Sequence, residues 1–86
     1  MNAALAVRVR VLEAWEDIDV SIDPATSIGE LKRQILDRVH IPADPSSFLV
    51  KFRGAEITDE SRSLEEQQVP PGAALIVLRR HRMPVR

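Results

Sequence analysis

The chain contains no cysteine and no tyrosine, and its only aromatic side chains are Trp15, Phe48 and Phe52. Without cysteine there can be no disulfide and no thiolate metal site, so hydrophobic packing must hold the fold unaided, and a reducing cytoplasm is the expected compartment. The two histidines, His40 and His81, stand at no recognisable ligand spacing, so no metal centre is expected. A nucleophile and base would have to be assembled from scattered serines, and no catalytic residue or cofactor is expected either. Long apolar runs are missing too: the longest, Ala73 to Leu78, is far shorter than the ~20 residues that span a bilayer. The apolar start, Met1 to Ala6, is interrupted by Arg8 and Arg10 before a secretory segment could form. Neither a signal peptide nor membrane insertion is expected. A net charge of −1, from 12 basic and 13 acidic residues, gives no global pull toward nucleic acid or lipid.

What is present is an ordinary globular composition, 44% hydrophobic and 29% charged, in 86 residues. That length fits one core, burying roughly 60–65% of the chain's surface. Val7, Val9 and Val11 alternate with Arg8 and Arg10, the period of a half-buried strand. Ile18, Val20 and Ile22 alternate with Asp19 and Ser21 in the same way, and polar Glu13 to Asp17 between the runs suits a hairpin. Asp23-Pro24 ends the second strand. Ser27 followed by Glu30 reads as a capping box, and Ile28, Leu31, Ile35 and Val39 form the apolar stripe of a helix that Ile41-Pro42 stops. Asp44 to Ser47 reads as loop, and Phe48 to Arg53 as a third strand, with Phe48, Val50 and Phe52 on one face. Gly54 turns the chain into a short edge strand, Glu56 to Thr58; Asp59 to Gln68 suits turns; and Pro71-Gly72 fits a type II turn before a last strand, Ala74 to Arg79. The expected organisation is an N-terminal extension over residues 1–6, a domain over 7–80 and a flexible tail over 81–86. The inward positions predict a core of Val9, Val11, Val20, Ile28, Leu31, Ile35, Val50, Leu64, Leu75 and Val77.

From Val7 to Arg80 the chain resembles ubiquitin and the β-grasp ubiquitin-like domains. The resemblance is carried by Pro24, Ile28-x-x-Leu31-Lys32-x-x-Ile35, Ile41-Pro42-x-Asp44, Phe52-x-Gly54, Ser63-Leu64 and Leu75-x-Val77-Leu78-Arg79, in that order. It implies an α+β fold, a mixed sheet of four to five strands with one helix across one face. It also implies a buried ion pair between Lys32 and Asp59, against which stands an exposed lysine on the helix flank. The departures bear on function. Modifiers of this family end in Gly-Gly, whereas here Met83-Pro84-Val85-Arg86 follow and no glycine comes after Gly72. Lys51 stands where the family's apolar patch has its central isoleucine, while Leu78 keeps an aliphatic side chain.

The resemblance and the departures lead to a non-catalytic ubiquitin-like protein-interaction module or adaptor that is not conjugated through its C-terminus. The alternative is a covalent modifier or sulfur carrier using an unusual or processed terminus. Arginine supplies every basic residue except Lys32 and Lys51, and the Ala/Arg/Pro content suits a GC-rich bacterial genome. In that setting the chain is similar to the small tailless ubiquitin-like proteins associated with type VII secretion. Alternation sends Arg8, Arg10, Leu49, Lys51, Arg53, Ile76, Leu78 and Arg80 to the sheet face opposite the helix. Five cations around exposed aliphatic groups suit a protein partner with an acidic rim and an apolar centre. Trp15 has two readings, a partner anchor at the hairpin tip or a ring folded over the sheet edge. The terminal arginines lack outward aromatics on which bases would stack, so nucleic acid is not an expected partner, and neither is a small-molecule substrate.

Overall fold

The computed structural model describes residues 4–42 and 44–80; the expected tail at 81–86 and most of the N-terminal extension lie outside the described residues. Two seven-residue strands, β1 (Leu5–Val11) and β2 (Glu16–Ile22), form the opening hairpin. The helix α1 (Ile28–Arg38) follows, then a 3₁₀ turn (Pro45–Ser47), β3 (Phe48–Phe52), the short β4 (Ala55–Glu56) and β5 (Ala73–Arg79). The sheet order is β2-β1-β5-β3-β4, with β1 and β5 parallel and all other pairs antiparallel. This is the expected α+β β-grasp arrangement. β1 begins at Leu5, which is buried, so residues 5 and 6 belong to the sheet rather than to an extension. Their alternation with Val7 was hidden because alanines at 4 and 6 carry no polar signal.

The core lies between the sheet and α1. All ten expected core residues are buried, joined by Leu5, Val7, Ile22, Leu36, Phe48, Ile57, Val69 and Ala73. Helix ends are closed by local chemistry. The Ser27 hydroxyl accepts from the Glu30 amide at 3.1 Å, which is half of the expected capping box. The Glu30 carboxylate does not return to the cap; it accepts from Arg33 and Gln34 instead. At the other end the His40 amide donates to Asp37 and the Ile41 amide to Leu36, at 3.1 and 3.0 Å. That is a Schellman pattern with His40 in the left-handed region, φ 60°. Gly72, at φ 79°, occupies the third position of the type II turn, and the Ala73 amide closes it on the Pro70 carbonyl at 3.2 Å.

The loop between β4 and β5 is built onto the helix. The amides of Ile28 and Gly29 donate to the carbonyls of Arg62 and Glu60, both at 2.9 Å, supplying partners for free N–H groups of the first turn. One turn further on, Lys32 is buried, and its ammonium donates to the Phe48 carbonyl at 2.8 Å and lies 2.7 and 2.9 Å from the two Glu60 carboxylate oxygens.

The buried lysine is therefore present, but its partner is Glu60 and not Asp59. The reason is local. The Asp59 carboxylate is taken up by its own turn, accepting from the Ser61 amide at 3.2 Å and from the Ser61 hydroxyl, with Arg62 beside it. The next residue, whose carbonyl already contacts the helix, is left to face Lys32. Removing one partner of a buried pair strands the other charge away from water. Glu60→Ala should therefore cost about 2–4 kcal/mol, read as a lowered urea midpoint, while Asp59→Ala should change the midpoint far less. The reverse ranking would contradict the assignment.

Candidate functional site

The outward face of the sheet, opposite α1, is built by strand alternation. On β1 it carries Arg8 and Arg10, on β5 Ala74, Ile76 and Leu78, and on β3 Leu49 and Lys51. The registers bring them together: Arg10 is paired with Ile76, Lys51 also with Ile76, and Leu49 with Leu78. Ile76 and Leu78 are half-buried, so an aliphatic strip runs along β5 through the middle of the face. Ala74 is too small to fill its position and leaves shallow depressions between β1 and β5, one of about 300 Å³ lined by Arg8, Arg10, Asp17, Ala74, Leu75 and Ile76.

Three of the eight expected face residues differ from the sequence reading. Leu49 points outward yet is only 9% exposed and stands apart from the main core. The register sets it opposite Leu78, and an Arg80–Glu56 ion pair at 3.2 Å joins the segments flanking β3. Arg53 lies beyond the end of β3, in the left-handed region at φ 56°, and its guanidinium sits 4.9 Å over the Phe52 ring; alternation stops where the Gly54 turn begins. Arg80 lies past the end of β5, with its amide donating to the Ser47 carbonyl at 2.7 Å.

The expected field of five cations is largely neutralised. Arg8 donates to Asp19 at 2.9 Å, and Arg10 makes two bonds to Asp17 at 2.8 and 3.1 Å. The β1–β2 register forces these pairs, because Arg8 stands opposite Asp19 and Arg10 opposite Asp17. Strong hydrogen bonding by Arg10 holds the Asp17 carboxyl below its ordinary range, and the same bond raises Arg10. With Arg80 held by Glu56, Lys51 and Arg53 are the expected cations without an ion pair among the described residues, and Lys51 alone of the two stays within the face. Asp17, Asp19 and Glu56 were missed as members of this surface. The outward parity of Asp19 was readable from its alternation with Ile18 and Val20, but the hairpin register was not.

Trp15 is 86% exposed, so its ring is not folded over the sheet edge. Next to it Glu13 makes a two-bond pair with Arg79 at 2.7 and 2.6 Å, and that guanidinium covers the ring of buried Phe48 at 4.7 Å. No helix among the described residues is long and apolar enough to cross a membrane.

Among solved structures the chain is similar to a de novo design based on ubiquitin, at 24% identity over 98% of each chain with a TM-score of 0.77. It is similar to Caldiarchaeum subterraneum ubiquitin at 12% identity, covering 94% of this chain and 99% of that one, TM-score 0.78. A structure concerning molecular mimicry of SUMO in the promotion of DNA repair matches at 16% identity over 90% and 92% of the two chains, TM-score 0.79. No family model and no curated protein sequence matches the chain. At these identities the likeness establishes a ubiquitin-like β-grasp fold.

The arginine–aspartate pairs make a pH prediction. A carboxyl whose folded pKa is lowered contributes stability above its unfolded pKa and loses it as pH falls through the folded value. Asp17 should titrate below free aspartate in a carboxyl NMR titration, and Arg10→Ala should move it back up. An Asp17 that titrates at the ordinary value in the unsubstituted chain would contradict the pairing.

Proposed function

We propose that this chain is a non-catalytic ubiquitin-like adaptor that docks another protein on its outward sheet face and is not conjugated through its C-terminal residues. The observation that carries the reading is the half-exposed aliphatic strip of Ile76 and Leu78 in the middle of that face, framed by charges already paired with one another. A face that served only to meet water would not need aliphatic side chains at its centre, and clustered apolar groups of this kind mark interfaces. Because the arginines are neutralised within the sheet, the partner's complement reduces to an apolar centre and an acidic group opposite Lys51. Desolvating pre-paired charges at a rim changes affinity little, so the aliphatic groups supply most of it. The segment His81 to Arg86 contains proline and no glycine, so it lacks the backbone freedom of a threading diglycine segment. A cytoplasmic setting suits the cysteine-free sequence.

With a partner isolated from the native host, Leu78→Ala should weaken binding by about 1–3 kcal/mol, and Lys51→Glu should slow association in a salt-dependent way. A control at Arg38 on the helix should do little. Binding that falls with the helix change and not with the sheet changes would place the interface elsewhere. Mass spectra of the host protein should show no peptide from residues 81–86 joined to a lysine; such a peptide, or a thiocarboxylate, would favour the modifier.

A further inference from the structure

We propose that the tip of the first hairpin is a second docking point, separate from the sheet face, at which Trp15 enters an apolar pocket with a cationic rim on a partner protein. Trp15 is the exposed large hydrophobic residue of the described chain. The backbone beneath it is in the left-handed region, φ 55°, where a bulky side chain is uncommon, and the Trp15 amide closes the turn on the Leu12 carbonyl at 3.2 Å. The fold does not use the indole, which rests on nothing in the core.

The turn that carries the indole is braced. Val11 and Glu16 are register partners, closing the hairpin immediately below the tip. The Leu12 amide donates to the Val77 carbonyl of β5 at 3.1 Å, and Glu13 is fastened to Arg79, which is itself stacked on Phe48. The tip is therefore tied to both β5 and β3. With the backbone beneath the indole braced, only the side chain's own torsions remain to be ordered on binding, which suits tryptophan as an anchor.

Charge selects the kind of pocket. Residues 12–17 include no cation. Glu13 and Asp17 are already committed to Arg79 and Arg10, but Glu16 is exposed and makes no ion pair among the described residues. The uncompensated charge beside the indole is thus negative, which disfavours an anionic bilayer and favours a pocket edged by lysine or arginine. The Ala74 depression of a second copy offers no such rim, because Arg8 and Arg10 beside it are held by Asp19 and Asp17.

As the sole tryptophan, Trp15 reports its own environment. Emission of the full chain can be titrated with neutral β-cyclodextrin and with its amino-rimmed derivative, apolar cavities that differ only in rim charge. The expected result is a blue shift with both and about two- to fivefold tighter binding to the cationic rim, the scale of an exposed ion pair. That advantage should disappear in Glu16→Gln and at high salt, and Trp15→Ala should abolish calorimetric binding while leaving the urea midpoint in place. Equal binding to both rims, or no blue shift with either, would overturn the proposal. A blue shift with phosphatidylglycerol vesicles would overturn it in favour of a lipid surface, and one that grows with protein concentration alone would overturn it in favour of self-association.

Discussion

A buried ammonium group holds this small fold together. Lys32 comes from the helix, Glu60 from the long loop and the Phe48 carbonyl from the start of β3. A charge so deep is tolerable only when its donors are fully used, and no buried side-chain polar atom of the described residues lacks a partner. The amides of the first helical turn reach the same loop. Helix, loop and central sheet are thereby fixed to one another at a point where a core built with so few aromatic residues has little bulk to interlock. The hydrophobic cluster supplies the driving force, and the lysine links helix, loop and β3.

Because the helix side carries this structural work, the opposite face of the sheet is free of it. Its charges are organised by register: the parity that buries Val7, Val9 and Val11 also aligns Arg8 with Asp19 and Arg10 with Asp17. Paired with Asp19 and Asp17, those arginines present little net charge beside the aliphatic strip on β5. On the other side Arg80 is paired with Glu56. An apolar strip enclosed by self-neutralised charge suits selective rather than non-specific association, since exposed single-sign fields attract many partners.

The periodic elements were legible in the sequence because their physics is local. Alternating valines, the Ser27 cap and Pro71-Gly72 each act within a few residues, and all ten expected core positions are buried. What was not legible depended on register and on competition between neighbours. Asp59 and Glu60 are equally acidic, and only the Ser61 turn decides which one is left for Lys32. The pairing of Arg8 and Arg10 required knowing which β2 residue lies opposite which β1 residue. Arg53 was lost to the positive φ that starts the Gly54 turn, and the pairing of Arg80 with Glu56 joins residues 24 positions apart. The resemblance to ubiquitin-like domains carried the mixed sheet with one helix across one face, which no local pattern contains.

The central claim is a division of labour, with the helix side holding the fold and the outward sheet face meeting the partner. Amide chemical-shift mapping of the labelled chain against its isolated partner tests it directly. The account predicts that perturbations concentrate on β5, β1 and β3 around Ile76, Leu78, Arg10 and Lys51 and leave the amides of α1 near Arg33 and Asp37 unmoved. Perturbations centred on α1, with the β5 amides unchanged, would contradict it.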